Sequence, residues 1–293
     1  MMRRRLLRWL QRRRGTIAAL ELAPGTAWLV AFFLVPIAVM LAYSVMPRGA
    51  YGGVTPGFTL EHYRRFFDPL YLRVVARTFG LAAACTALCV VLGYPVAYVI
   101  ARSRRWKHAL LFLVVLPFWT SFLVRTYAMI FLLRDSGLIN TWLLHLGLIR
   151  RPITLLYTPG AVLAGLVYGF LPFLILPVYA SLERLDPALL EAAESLGARP
   201  WASFRRVTLP LSMPGLVAGA LLVFIPSLGS FLTPDLLGGA RELMLGNLIE
   251  NQFTTARNWP FGAAASFILM AAVLVALLIH LRSQDRAAAA GPG

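Results

Sequence analysis

The residues of this chain that could do chemistry are few, and they gather in one stretch. Residues 183–210 carry Glu183, Arg184, Asp186, Glu191, Glu194, Arg199, Arg205 and Arg206 among alanines and prolines. Asp186 followed by Pro187 is a helix start, because the carboxylate caps free N–H groups and proline fits the first helical position. Residues 187–196 are rich in helix formers. Leu189, Ala192, Ala193 and Leu196 fall on one side, at spacings of three and four. Gly197 fits the left-handed stop after such a helix, and residues 200–206 can open a second one. Small alanines let a partner approach closely, and Glu191 and Glu194 can meet a partner's arginine. The alternative is a solvated surface loop.

Other chemistry is missing. No GxxxxGKS or GxxxxGKT run cradles a phosphate. His62, His108, His145 and His280 are scattered, and no HExxH or CxxC pair occurs. No metal, no cofactor and no catalytic residues are expected, and the chain is read as not an enzyme. Cys85 and Cys89 stand four apart in an apolar run, on one side of a helix, with poor geometry for a disulfide.

The elements that must position these residues follow from composition. Of 293 residues, 59% are hydrophobic and only 14% charged, against about 45–50% and about 25% in soluble domains. This excludes a soluble globule, a disordered chain and a collagen, and leaves an all-α polytopic membrane protein. Six stretches are long enough to cross a bilayer: 26–46, 74–101, 109–133, 159–181, 211–233 and 260–281. The first is too long for a secretory signal and is read as a retained span. A basic segment, 1–25, precedes the transmembrane domain, 26–282, and a disordered tail, 283–293, follows it.

The net charge of +16 is a topology signal. Seventeen of the 28 Lys and Arg lie in the N-terminal segment, the second and fourth connections and the tail; nine lie in the other connections. That excess puts both termini in the cytoplasm of a bacterial inner membrane, with anionic lipid as a further attraction. No nucleic-acid module is visible, and no nucleic-acid partner is expected.

No acidic residue falls in the middle of a span, which disfavours a proton- or sodium-driven carrier. Gly165 with Gly169, and Gly215 with Gly219, permit close helix packing. Pro226 is placed mid-membrane, where it favours a kink among Phe224, Ser227, Gly229, Ser230 and Phe231. Trp119, Arg125 and Tyr127 in the third span, and Asp235 after the fifth, complete the candidate pathway residues. The aromatic rings suit an amine-bearing solute, and the aromatic belt at the bilayer surface is the alternative for Trp119 and Tyr127.

The run Glu191-Ala192-Ala193, three residues, Gly197, nine residues, Val207, one residue, Leu209-Pro210 resembles the EAA signature of ATP-binding-cassette (ABC) importer permeases. The usual Ile is Val207 here. Pro117-Phe118-Trp119-Thr120, Gly165-Leu166-Val167-Tyr168, Asp235-Leu236-Leu237-Gly238-Gly239-Ala240 and Trp259-Pro260-Phe261-Gly262 are similar to spermidine/putrescine permeases. The resemblance, from about Trp28 to about Arg282, implies a type I ABC importer permease of six transmembrane helices. It implies that Glu191, Ala192, Ala193, Glu194, Gly197, Leu209 and Pro210 form a coupling hairpin seated on a cassette ATPase dimer. It also implies a second permease subunit, a periplasmic solute-binding protein and a polyamine cargo. The same machinery for an opine, thiamine, sulfate or an iron complex is the alternative.

Overall fold

The computed structural model describes residues 21–239 and 242–289. Most of the basic segment, Ala240, Arg241 and residues 290–293 therefore lie outside the described residues. The helices, in chain order, are α1 (Glu21–Ser44), α2 (Glu61–Phe66), α3 (Pro69–Arg102), α4 (Lys107–Trp119), α5 (Phe122–Leu133), α6 (Leu138–His145), α7 (Pro159–Glu183), α8 (Pro187–Ser195), α9 (Pro200–Leu228), α10 (Leu245–Phe253) and α11 (Trp259–Ala289). Among the described residues the only β pairing is an isolated bridge between Arg48 and Val54.

Helices α1, α3, α7, α9 and α11 are long and apolar enough to cross a bilayer. The expected third span is not one straight helix. It is α4 followed by α5 and α6, bent by 92° at Thr120 and Ser121. Pro117 has no N–H to give to the Leu113 carbonyl, and the last turn of α4 tightens to a 3-10 helix. Thr120 then turns its hydroxyl (2.8 Å) and N–H (3.3 Å) back onto the Pro117 carbonyl. The fifth span also differs: α9 begins at Pro200 inside the hairpin and stops at Leu228. Helix α11 continues to Ala289, so residues 283–289, expected in a disordered tail, are helical.

The chain divides into two compact units. One comprises the described parts of Met1–Phe66 and Gln252–Gly293. In it α1 and α2 pack on α11. Tyr63 donates a hydroxyl hydrogen bond to Ser44 (2.8 Å), which donates to the Leu41 carbonyl. Arg48 donates to the Ala256 carbonyl (2.8 Å), and the Arg65 guanidinium lies over the Phe261 ring. Helix α1 leaves Trp28, Leu29, Phe32 and Phe33 exposed, a surface suited to lipid or a second membrane chain rather than water.

The other unit, Phe67–Asn251, is built on α3, α7 and α9. Cys85, Cys89, Val162, Leu166, Leu174, Val178 and Val223 form its buried centre. Both cysteines are free, and the Cys89 thiol lies 3.9 Å from the Val167 carbonyl oxygen. Of the two glycine pairs, Gly215 and Gly219 lie against the backbone of α7, whereas Gly165 and Gly169 make room for the side chains of Thr233, Leu237 and Phe122. A Cβ on Gly215 would stand 2.5 Å from the Pro177 carbonyl oxygen, and one on Gly219 would stand 3.1 Å from the Leu174 Cα. Close backbone approach matters here, because in lipid the helices associate by packing rather than by escape from water. Tyr94 donates a hydrogen bond to Ser212 (2.8 Å), tying α3 to α9.

Candidate functional site

The hairpin forms for local reasons. Asp186 Oδ1 accepts the Ala188 N–H (3.0 Å), and Pro187 occupies the first helical position. At the other end Gly197 has φ +79°, the left-handed region. Its N–H bonds the Glu194 carbonyl (2.9 Å), and the Ala198 N–H bonds the Ala193 carbonyl (3.0 Å), a Schellman closure. The chain then re-enters a helix at Pro200. Residues Phe204–Thr208 form one π turn, in which the Leu209 N–H reaches back to Phe204. With Pro210 two residues into the following α-helix, the segment passes without a break into the span.

The hairpin presents its apolar side outward. Leu189 is 47% exposed, Leu196 89% and Trp201 70%. Glu191, Ala192 and Glu194 are exposed beside them, Leu209 is half-buried, and Pro210 is exposed. Trp201 stacks on Phe204, whose ring meets Tyr94 and Tyr98 of α3 edge-on, at 5.8 Å each. The hairpin is therefore joined to α3 by aromatic contact as well as to α9 through the chain. Lys107 at the head of α4 pairs with Glu183 at the foot of α7.

The eight candidate pathway residues fall in separate neighbourhoods. Trp119 is 74% exposed, with its ring edge-on to Phe112. The Arg125 guanidinium lies 5.7–5.8 Å from the Phe118, Phe122 and Tyr168 rings. Its Nε and Nη1 are buried without a hydrogen-bond partner. Tyr127 is exposed and Phe224 sits edge-on to Phe79. Pro226 lies inside α9, two residues before its end, so its missing N–H leaves the Leu222 carbonyl without that partner in the closing turns. Ser227 is wholly buried, donating to the Val223 carbonyl (2.6 Å) and touching Cys85. Ser230 is half-buried, and Asp235 is exposed in the π turn Pro234–Gly238.

One polar group was missed by the sequence reading. Arg77 of α3 pairs with the buried Glu242. Beside them Thr78 Oγ1 accepts the Leu245 N–H (2.8 Å). Asn247 donates to the Phe231 carbonyl (2.7 Å) and accepts the Met244 N–H (3.3 Å). Together these fasten the segment after α9 onto α3. The available signal was Arg77 itself, since a charge inside a span calls for a partner.

A bundle of long apolar helices carrying an outward-facing helical hairpin defines an integral membrane transport subunit. Residues 90–287 match the model of the binding-protein-dependent transport system inner membrane component family, and the chain belongs to that family. It is 44% identical over 257 residues to the spermidine/putrescine transport system permease protein PotB of Escherichia coli strain K12, covering 87% of this chain and 94% of that one. The Haemophilus influenzae PotB is 46% identical over 256 residues, covering 87% and 89%. The molybdenum transport system permease protein ModB of Mycobacterium bovis is 34% identical over 201 residues, covering 68% and 74%. Among solved structures, a chain of a bacterial ABC transporter involved in import of the acidic polysaccharide alginate superposes with TM-score 0.72 at 20% identity, over 95% of this chain and 98% of that one. The MetNI methionine ABC transporter gives TM-score 0.52 at 20% identity, over 75% and 94%. These structural likenesses establish the fold, a type I importer permease bundle.

Proposed function

We propose that the chain is one transmembrane subunit of an ABC importer that carries a polyamine, spermidine or putrescine, inward. Its partners are a cassette ATPase dimer, a second permease subunit and a periplasmic solute-binding protein, and ATP is hydrolysed in the cassette subunits. Both termini face the cytoplasm. The observation that carries the coupling role is the EAA-spaced hairpin, closed by Asp186 and Gly197, with Glu191 and its apolar side uncovered. The polyamine assignment is supported by the 44–46% identity to two PotB proteins.

In this reading closure of the cassette dimer moves α8 as a rigid body. The motion passes through α9 and through Phe204 against Tyr94 and Tyr98. The solute is selected by the binding protein, and this chain contributes part of the path, with Trp119, Arg125, Tyr127, Phe224, Pro226, Ser230 and Asp235 as candidate lining. Ser227, the eighth candidate, is wholly buried against Cys85 and the Val223 carbonyl.

The test is ATP hydrolysis by the reconstituted complex, with solutes added one at a time to the binding protein. Putrescine or spermidine should stimulate hydrolysis, and Glu191→Arg should abolish the stimulation. Stimulation by another solute alone would keep the importer and remove the polyamine. Transport by the isolated chain without ATP would overturn both.

A further inference from the structure

A hollow of about 400 Å³ opens between the end of α3, the head of α4 and the foot of α7, at the ends of these long apolar helices. Its rim is cationic. Arg102, Arg104 and Lys107 face it, with Glu183 as the lone carboxylate on the wall. Lys107 is engaged with Glu183, and Arg102 is held over the Tyr98 ring with its guanidinium 4.6 Å from the centroid. The local charge that remains is that of two arginines. The floor is of another kind: Ala101, Leu182, Leu185, Pro187 and Leu190 are apolar. Set into the same wall is Thr208, only 2% exposed, whose hydroxyl has no hydrogen-bond partner. An unsatisfied buried hydroxyl costs about 1–3 kcal/mol, and buried polar groups are ordinarily paired with protein or water. Trp106, on the loop beside the rim, is 64% exposed, as suits a residue at headgroup level.

We infer that this hollow binds an anionic phosphate group, held by Arg102 and Arg104 at the rim with the Thr208 hydroxyl within the pocket wall, and that its occupancy couples the 102–107 loop to the hairpin. Basic pockets between transmembrane helices take phospholipid head groups for this combination of reasons: cationic rim, boundary depth and an apolar floor for glycerol and acyl carbons. A free phosphate offers the same oxygens without the apolar part. The hollow is walled by Pro187 and Leu190 of α8 and by Thr208 at the foot of the span in α9. A bound phosphate would thus restrain the hairpin at its root and leave the outward face of Leu189, Leu196 and Trp201 clear.

The test uses the whole complex in nanodiscs of phosphatidylcholine alone, or of an equal mixture with phosphatidylglycerol. Retained lipid is read by native mass spectrometry, and ATP hydrolysis is read in parallel. Phosphatidylglycerol should be retained by the wild type, and retention should fall about fivefold for each of Arg102→Gln and Arg104→Gln. Thr208→Val keeps both charges and should also weaken retention. Inorganic phosphate added to the phosphatidylcholine discs separates the sources: if it alone alters hydrolysis, and R102Q/R104Q abolishes the effect, the ligand is free phosphate. Equal retention in wild type and R102Q/R104Q, with no response to phosphate, overturns the site. Lipid retention does not depend on the transported solute, so this outcome is separable from failure of the polyamine assignment.

Discussion

At the scale of single residues, the clearest case is Gly197. Its φ of +79° is a conformation L side chains adopt at a cost, yet a Cβ there would meet nothing within 4 Å. Gly197→Ala should therefore cost about 1 kcal/mol, through backbone conformation alone. We expect a frayed α8 and a lower solute-stimulated ATPase rate, with Gly197→Asn recovering part of it because asparagine tolerates the left-handed region. A rate equal to wild type for Gly197→Ala would show that the turn geometry is dispensable. Arg77 and Glu242 give a second case. Glu242 is buried, and removing its partner leaves a carboxylate in a poor environment. Arg77→Leu should destabilise the chain by about 3 kcal/mol, read as a lower thermal midpoint in detergent, while Glu242→Gln should cost less.

At the scale of elements, α7 and α9 depend on surfaces without side chains. Gly215→Val places carbon against the Pro177 carbonyl and should cost about 2 kcal/mol. Gly229→Ala, whose nearest neighbour would be the Pro226 oxygen at 3.9 Å, is the control and should be neutral in the same melting assay. This contrast also shows what the sequence could reveal. Local spacing disclosed the GxxxG pairs, both ends of α8 and the apolar runs, because each depends on residues within one or two turns. It did not reveal the bend at Thr120, which needs Pro117, a tightened turn and two polar residues to act together. The helix opening at Pro200 was legible from Pro200 itself, whereas the end of α9 at Leu228, five residues before the end of the apolar run at 233, was not. The Arg77–Glu242 pair spans 165 residues, a separation that no local pattern encodes.

At the scale of the whole molecule, the prediction concerns orientation. Cys85 and Cys89 are buried and free, so an introduced surface cysteine should label over a low background. Ser195→Cys, on the exposed hairpin, should react with an impermeant maleimide only from the cytoplasmic face. Thr55→Cys, in the connection between α1 and α2, should react only from the opposite face. The reverse pattern would place the hairpin out of reach of any cassette. The balance of Lys and Arg in the connections is what predicts this orientation, whereas no local pattern foretells the division into two compact units.

The helix α9 has one more consequence. Its 29 residues make a rod about 43 Å long at 1.5 Å per residue, with one end carrying Trp201 at the surface and the other reaching Pro226. The π turn widens the rod but leaves it hydrogen-bonded through Leu209. Such a rod acts as a lever. A tilt of about 10°, pivoting at the Trp201 end, sweeps the far end by roughly 7 Å. In the proposed coupling, a change of tilt set at the hairpin would move the far end of α9 by several ångström while its hydrogen bonds stay intact.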